Sequence, residues 1–288
     1  MKILITGHKG FIGSTLWKTL ESLGVELYGL EKDYVSIPAE LRVLTFDFVV
    51  HLGAVARTAE CNKIFDAHNY NVKTTLDILK HLTFKRLIYI SSCAVYGSHG
   101  SVITEESSLK VPSVYAAQKL YSEQLCNFFG QINNIPTVSL RLFNVYGIGQ
   151  RQDGAYPNVI ASMLRSAKKD GVVQVTGDGT QMRDFVHVDD VVNVITTIIN
   201  TEEWPELGGS YNVSTQIGYD MNFVADQIAQ TYEVPVQQID PRLFDMYQQI
   251  GSFTKLRNHF GWEPKRHFKE ELHRLILHDT ITHEREQN

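Results

Sequence analysis

The sequence predicts an α/β fold built on a doubly wound parallel sheet. The first observation is an alternation, along the first half of the 288-residue chain, of short β-branched apolar runs with segments of helical period. The second is that these runs are almost continuously apolar, as is typical of strands that helices cover on both faces. We therefore expect a Rossmann-type sheet, with strands at 2–6, 25–30, 48–53, 86–91 and 137–143 and helices at 11–23, 64–82 and 115–133.

The second half of the chain has a mixed pattern, which predicts a smaller mixed α/β region on the C-terminal side of the sheet. We expect its boundary near residue 150, so that residues 1–150 form the main domain and residues 151–288 form most of the smaller region. A helix at about 186–200 is expected to return to the main sheet. The remaining expected elements are a helix near 156–169, a short strand at "YNV" and helices near 221–232 and 254–260.

Composition and charge exclude some classes of partner. The net charge of -5 argues against nucleic acid or an anionic membrane surface, which favour basic proteins. The chain has no apolar run of the ~20 residues that span a bilayer and no signal-peptide layout at its start. Cys61, Cys93 and Cys126 show no Cys-x-x-Cys spacing, and the histidines show no metal-ligand spacing. We expect free thiols, a cytoplasmic protein and no bound metal.

Three glycines at three-residue intervals, Gly7, Gly10 and Gly13, follow the first strand and open the first helix. This strand–turn–helix context is the one that a dinucleotide fingerprint requires, although the spacing differs from G-x-G-x-x-G. The first glycine permits a tight turn, the second lets a pyrophosphate approach the backbone, and the third lets the helix pack closely on the strand. Free N–H groups at the start of the helix then face the phosphates, so the turn, together with Phe11 and Ile12, is predicted to hold the cofactor.

Glu31, at the end of the second strand, supports this interpretation. An acidic side chain there accepts hydrogen bonds from the adenosine ribose and repels a 2′-phosphate, which favours NAD over NADP. The neighbouring Lys32 weakens this preference, since a cation could tolerate a phosphate, but NAD is the expected cofactor. The alternative for Glu31 is an ordinary solvated charge at a strand end.

The segment "YAAQK" places Tyr115 and Lys119 four residues apart, on one face of a predicted helix. A phenol is a poor base at its ordinary pKa of about 10, but a nearby ammonium stabilises the phenolate. Tyr115 is therefore a candidate for exchanging a proton with a substrate hydroxyl while a hydride moves to or from a nicotinamide. Ser92 follows a strand at its carboxyl end, where ligands of such sheets bind, and is predicted to hold the reacting oxygen.

The chain resembles the extended short-chain dehydrogenase/reductase family, in particular its nucleotide-sugar epimerase/dehydratase group. The motifs that carry the resemblance are "TGHKGFIG", "HLGA", "NVKTT", "SSCAVYG", "YAAQK", "LRLFNVYG", "GDGTQMRDFVHVDDV" and "FGWEPK", in this order. The resemblance implies that residues 1–150 bind NAD and that residues 151–288 mainly bind a nucleotide sugar. It implies catalytic roles for Ser92, Tyr115 and Lys119, and a cofactor site that includes Leu52, Gly53, Ala54 and Asn71. Tyr115 and Lys119 are also expected to contact the cofactor, Lys119 through a hydrogen bond to the nicotinamide ribose.

For the substrate, the resemblance implies that Arg183, Arg242 and Asn144 grip the diphosphate and that Asp245 contacts the ribose. Gln249 corresponds to a gate residue beside the sugar C2 substituent, whose size decides whether N-acetyl sugars are admitted. Glutamine is intermediate in size, so this position does not determine which sugar is bound. Relatives that dehydrate or decarboxylate carry acidic residues after the position of Ser92, whereas this chain has Cys93 and Ala94. The resemblance therefore favours a 4-epimerase of UDP-hexoses (Glc/Gal, GlcNAc/GalNAc or uronate).

Two alternatives remain: an NAD(P)H-dependent nucleotide-sugar reductase and a nonenzymatic dinucleotide sensor. The resemblance also implies a homodimer that pairs through the helices at 64–82 and 115–133. The chain departs from the family between Glu31 and His51, where relatives usually have a further strand and helix that bracket the adenine.

Overall fold

The computed structural model describes residues 1–31, 36–55, 67–152, 158–204, 209–241 and 246–287 of the chain. In chain order its strands are β1 (Lys2–Thr6), β2 (Glu26–Leu30), β3 (Thr45–His51), β4 (Thr83–Ser92), β5 (Thr137–Leu142), β6 (Asn144–Tyr146), β7 (Val173–Thr176), β8 (Met182–His187), β9 (Gly209–Val213), β10 (Gly218–Asp220), β11 (Val236–Ile239) and β12 (Gln248–Gln249). Its helices are α1 (Phe11–Ser22), α2 (Ala39–Arg42), α3 (Ala67–His81), α4 (Val114–Asn133), α5 (Val159–Asp170), α6 (Val188–Asn200), α7 (Met221–Tyr232), α8 (Thr254–Phe260) and α9 (Phe268–Gln287).

The central element is a six-stranded parallel sheet in the order β2-β1-β3-β4-β5-β9. Its first five strands in chain order are the five that the sequence predicts, and the connecting helices α1, α3 and α4 lie where helical periodicity predicts them. The predicted α/β class with a parallel sheet is therefore confirmed. The short strand predicted at "YNV" is the end of β9, which pairs with β5 and so extends the main sheet rather than the smaller region.

Both faces of the sheet are covered by helices. One face packs against α1, α6 and α8, with Ile5 and Ile90 among its buried side chains and Leu16, Ile195 and Leu256 contributed by the helices. The other face packs against α3 and α4. Because neighbouring residues of a strand point to opposite faces, a strand buried on both sides needs apolar residues at successive positions, and this explains the continuous apolar runs.

Local capping sets the bounds of several helices. Ser113, Asn158 and Asp220 cap α4, α5 and α7, each through a side-chain oxygen that accepts a hydrogen bond from a backbone N–H of the first turn. All three helices end on a residue in the left-handed region: Asn134 after α4, Gly171 after α5 and Glu233 after α7. The predicted helix 115–133 therefore begins one residue earlier than expected.

The connection between β2 and β3 is short, as the sequence indicates. Its described part contains only the four-residue helix α2, and β2 is an edge strand of the described sheet. Lys32 lies outside the described residues.

The smaller part of the molecule has a core of its own. Strands β6, β8, β10 and β12 form a small sheet and β7 pairs with β11. Helices α5, α7 and α9 pack around them, and the rings of Phe185 and Phe268 stack with centroids 4.6 Å apart. Two separate cores support a larger and a smaller part, while β9 and α8 belong to the larger core although they follow residue 150. Within the described residues no helix is both long and apolar enough to cross a membrane.

Candidate active site

The carboxyl ends of β1, β3, β4 and β5 surround a cavity of about 330 Å³. Carboxyl ends of parallel strands are where ligands of such folds bind. The residues that line it are Gly7, Gly10, Phe11, Ile12, Gly13, Leu52, Ala54, Ile90, Ser91, Ser92, Tyr115, Lys119, Leu142, Phe143 and Val145. The cavity therefore brings together the glycine turn, Leu52 and Ala54 of the "HLGA" segment and all three candidate catalytic residues.

The glycine turn has the close packing that its sequence predicts. Gly7 has φ of +69°, and its N–H donates to the Leu30 carbonyl over 2.7 Å, which ties the turn to the end of β2. A Cβ on Gly13 would lie 2.2 Å from the Gly7 carbonyl oxygen, so α1 approaches β1 as only glycine permits. Gly10 caps α1 without a side-chain hydrogen bond, and Phe11, Ile12 and Gly13 of the first turn line the cavity, at the end of a helix where backbone N–H groups have no partner within the helix. These features fit a dinucleotide phosphate.

A buried chain of hydrogen bonds supports this wall. The Gly53 N–H donates to Thr6 Oγ1 over 2.9 Å, and Thr6 Oγ1 lies 2.7 Å from Nδ1 of His51. On its other side, His51 Nε2 lies 3.0 Å from Thr75 Oγ1, which donates to the Asn71 carbonyl. A neutral His51 with its proton on Nε2 satisfies every step of the chain. His51 thus joins the glycine turn to α3.

Burial, together with the positive charge of Lys119, lowers the pKa of His51 from 6.5 to about 3. A histidine whose pKa is lower in the folded state stabilises the fold above its unfolded pKa and loses that contribution as the pH falls, because the unfolded chain takes up the proton first. Between pH 7 and pH 5 we expect this group alone to cost about 2 kcal/mol of unfolding free energy.

Urea unfolding of the protein and of His51→Gln at the two pH values measures this effect. The stability of the variant should fall less on acidification, because glutamine does not titrate. An equal fall in both proteins would contradict the role of His51.

Asn71 does not line the cavity. It is buried, its Oδ1 accepts from the Val55 N–H over 2.7 Å, and its Nδ2 donates to the Val55 carbonyl and to Gln118 Oε1. It therefore ties the segment after β3 to α4. Gly53 likewise lies beneath the surface of the cavity, against Thr6. The roles that the resemblance implies for both as cofactor contacts stay predictions.

The candidate catalytic residues lie on two elements. Tyr115 and Lys119 are one turn apart at the start of α4, and both line the cavity. Lys119 is buried, and its Nζ donates to the Ile90 carbonyl over 2.7 Å, which fixes the ammonium at the end of β4. Ser92 Oγ accepts a hydrogen bond from the Ala94 N–H over 3.2 Å, so the hydroxyl proton is the group it offers to a ligand.

Five residues that line the cavity are not predicted from the sequence: Ile90, Ser91, Leu142, Phe143 and Val145. The signal that identifies them is their place at or just after the carboxyl ends of β4 and β5. Ser91 is 2% exposed, and its Oγ has no hydrogen-bond partner among the described residues. An unpaired buried hydroxyl on the wall of a cavity fits a site that a polar ligand completes.

The candidate substrate residues lie in or beside the smaller sheet. Arg183 on β8 donates from Nη1 to the Met246 carbonyl over 2.6 Å, and Asn144 donates to the Asp184 carbonyl. Gln249, which pairs with Arg183 in register, is buried and donates to the Cys93 carbonyl over 3.3 Å. Gln249 therefore contacts the residue that follows Ser92 in the chain. Arg242 and Asp245 lie outside the described residues.

Asp184 organises this region, which the sequence does not reveal. Its buried carboxylate accepts hydrogen bonds from Thr215 and from the N–H groups of Gln216 and Gly251. Burial raises the pKa of this carboxyl to about 6, against the opposite effect of those hydrogen bonds. The contacts hold β8, which carries Arg183, to the chain after β9 and after β12.

A second cavity, of about 660 Å³, lies in the smaller part between the turn at Gly177 and the chain that follows β11. The exposed ring of Tyr247 forms one side of it. Among the described residues, no group of three or more His, Cys, Asp or Glu side chains is arranged to hold a metal ion.

Known proteins resemble the chain in sequence and in fold. The model of the NAD dependent epimerase/dehydratase family matches residues 3–214. Protein CapI of Staphylococcus aureus is 30% identical over 256 residues, 73% of this chain and 75% of CapI. An uncharacterized UDP-glucose epimerase of Bacillus subtilis, YtcB, is 29% identical over 252 residues, 74% of this chain and 78% of YtcB.

Among solved structures, the UDP-glucose 4-epimerase of Thermus thermophilus in complex with NAD superposes with a TM-score of 0.83. It is 27% identical in sequence, and the match covers 97% of this chain and 99% of the epimerase. The chain therefore belongs to the NAD dependent epimerase/dehydratase family, which confirms the predicted resemblance and NAD as the expected cofactor.

Proposed function

We propose that the chain is a nucleotide-sugar epimerase that inverts C4 of a UDP-hexose by transient oxidation to the 4-keto sugar. The observation that carries the proposal is the convergence of Ser92, Tyr115 and Lys119 on one cavity with the glycine turn. The relatives that are named as UDP-glucose epimerases support the same class of substrate.

In the proposed reaction, Tyr115 removes the proton of the sugar 4-hydroxyl and later returns a proton to the same oxygen. Lys119, fixed by the Ile90 carbonyl, stabilises the phenolate by its charge. Ser92 donates its hydroxyl proton to the reacting oxygen and so keeps it within reach of Tyr115. Bound NAD supplies the reversible hydride acceptor. The 4-keto sugar turns over within the cavity, so that reduction occurs on the opposite face.

The residues after Ser92 argue against elimination of water. A dehydratase needs a positioned acid and base beside the sugar. Ala94 has no titratable group, and burial raises the pKa of the Cys93 thiol to about 12, although the charge of Arg183 acts in the opposite direction. At neutral pH this thiol is a poor base and a weak acid, so oxidation and reduction at one carbon is the chemistry that these side chains support.

Substrate binding is assigned by analogy with the family. Arg183 and Asn144 are proposed to hold the diphosphate together with Arg242, and Asp245 the ribose. A guanidinium suits this role because it donates two parallel hydrogen bonds to phosphate oxygens. Gln249, packed against Cys93, is proposed to limit the size of the C2 substituent. Two buried free thiols, Cys93 and Cys126, are in keeping with the reducing cytoplasm in which we place the enzyme.

The experiment is incubation of the purified protein and substoichiometric NAD with UDP-glucose, UDP-N-acetylglucosamine or their uronic acid relatives. Proton NMR of the anomeric signals reports inversion at C4. We expect one sugar to reach an equilibrium mixture in an amount that far exceeds the cofactor. Consumption of a sugar in proportion to added NADH or NADPH, without inversion, would replace the epimerase by a reductase.

We further propose that the chain forms a homodimer through α3 and α4, as the resemblance implies. Four large apolar side chains on these two neighbouring helices are exposed: Leu76, Tyr121, Phe128 and Ile132. Three of them recur at helical spacing along α4, and Ile132 is 81% exposed. This apolar stripe supports the proposal, because exposed apolar patches are typical of interaction surfaces.

Phe128→Glu should convert the protein to a monomer of 32.7 kDa, because it places a charge in the middle of the proposed interface. Size-exclusion chromatography with light scattering measures the mass. Val43→Glu, at an exposed site away from α4, is the control and should stay dimeric. A native protein of monomer mass at micromolar concentration would refute the dimer.

A further inference from the structure

Asp184 of β8 is a fully buried carboxylate that joins two segments distant from each other in the chain. Its Oδ1 accepts hydrogen bonds from the N–H and the hydroxyl of Thr215, over 2.8 and 2.6 Å. Its Oδ2 accepts from the N–H groups of Gln216 and Gly251, over 2.9 and 3.2 Å. One oxygen therefore serves the turn after β9 alone, and the other serves this turn and the chain after β12.

The first segment is a strained turn. Gln216 has φ of +66°, a backbone conformation that residues with a Cβ seldom adopt. Such a conformation persists where the surrounding structure enforces it, and here Asp184 holds the N–H of the strained residue. The turn leads into β10, where Tyr219 pairs with Arg183. The carboxylate thus fixes one neighbour of the strand residue that is proposed to hold the diphosphate.

The second segment carries the proposed gate residue. Gly251, whose N–H Asp184 holds, lies two residues after Gln249, and Gln249 pairs with Arg183 from the other side of β8. A Cβ on Gly251 would lie 2.4 Å from the ring of Phe143, which lines the catalytic cavity. The same carboxylate therefore holds the chain after Gln249 against the wall of this cavity.

The charge of Asp184 is not explained by stability. Burial raises the pKa of its carboxyl to about 6, so at neutral pH the folded protein holds an ionised group that it would hold more easily as a neutral one. The ionisable groups that face it are Cys93, Tyr219 and the neighbouring Arg183. Burial raises the pKa values of the thiol and of the phenol, and the guanidinium is permanently charged. An ionised group that the fold retains at a cost is typical of functional sites.

We propose that Asp184 is a positioning residue for the nucleotide sugar, and that its negative charge holds Arg183 and Gln249 in the arrangement that binds the substrate. The inference rests on the substrate class proposed above. A neutral carboxyl or an amide has a donor at one of its two ends, so either the turn at Gln216 or Gly251 would lose its acceptor. Substrate binding should then weaken, while the chemical step at Tyr115 is unaffected.

The experiment measures the dissociation constant of UDP-glucose by calorimetry on the NAD-saturated protein at pH 7 and pH 5, a range in which a diphosphate diester does not titrate. At pH 5 a carboxyl with a pKa of about 6 is about nine-tenths protonated, so the native constant should rise about tenfold. Asp184→Asn should have a constant about tenfold above the native one at pH 7 and the same constant at pH 5. For the sugar that is turned over, kcat of this variant should stay within about threefold of the native value.

The folded state should survive this acidification at Asp184, because its raised pKa makes the folded chain take up the proton before the unfolded chain does. Asp190→Asn is the matched control. Asp190 is also buried and accepts from two backbone N–H groups, those of Lys265 and Arg266, but these lie before α9. This variant should keep the native constant and its pH dependence. Thermal unfolding reports the stability of both variants.

Three outcomes would overturn the role of Asp184 alone: equal native constants at the two pH values, a native constant for Asp184→Asn, or the same weakening in Asp190→Asn. A native protein that does not bind UDP-glucose at pH 7 would instead refute the substrate class, and this inference with it.

Discussion

Replacement of Tyr115 by phenylalanine is expected to lower kcat by about a thousandfold, because it removes the group that carries the proton while leaving the ring in place. Tyr115 lines the cavity one turn before Lys119, whose ammonium is fixed by the Ile90 carbonyl. The variant keeps Lys119 and the glycine turn, so it should bind NAD and unfold almost as the native protein does. Coupled turnover assays, cofactor binding and thermal unfolding measure the three properties separately.

Tyr121→Phe is the control for this change. It removes the same hydroxyl from the same helix at a position of the proposed dimer interface that does not line the cavity, and the apolar ring is kept, so the variant should be as active as the native enzyme. A Tyr115→Phe variant with near-native kcat would refute proton transfer by this phenol. A variant that loses NAD binding together with turnover would assign Tyr115 a binding role instead.

The elements of the main sheet could be predicted because their patterns are local. Apolar runs such as Ile3 to Ile5, and a helical face such as Gly13, Leu16 and Leu20, are visible within a few residues. The place of β9 in the sheet could not be predicted. A strand as short as Gly209–Val213 carries no pattern that distinguishes a pairing with β5 from a pairing in the smaller sheet.

In the candidate site, too, some features depend on local sequence and could be predicted, and others depend on the fold and could not. Tyr115, Lys119 and the glycines could be found because their chemistry depends on spacing along the chain. The contacts that hold them depend on the fold: Lys119 is fixed by a backbone carbonyl of β4, and His51 contacts Thr6, which lies 45 positions away in the chain. A carbonyl acceptor leaves no trace in the sequence, since every residue has one. Asn71 is the opposite case. It belongs to a motif that the sequence reveals, but its side chain bonds Gln118 of α4 and holds the structure together instead of lining the cavity.

A buried ion pair between β5 and α4 supports the helix that carries Tyr115 and Lys119. Arg141 of β5 donates from Nη2 and Nε to the two oxygens of Glu123 over 2.5 and 3.1 Å. Its Nη1 donates to the Tyr96 hydroxyl over 2.6 Å, and Ser210 of β9 donates to Glu123. Glu123 is 0% and Arg141 5% exposed, so each charge depends on the other for compensation. The network connects α4 to β5, to β9 and to the turn after Ser92.

Glu123→Gln is therefore expected to lower the free energy of unfolding by about 3–5 kcal/mol, because it leaves the guanidinium buried without a countercharge. Urea unfolding at neutral pH measures the loss. The matched control is Asp77→Asn, which breaks the exposed pair of Asp77 with Lys73 on α3 and should cost at most about 0.5 kcal/mol. If the two variants lose equal stability, the pair does not support α4. If stability falls but kcat is retained in the folded fraction, Glu123 has a structural role only. A parallel loss of kcat would show that this pair also sets the position of Tyr115.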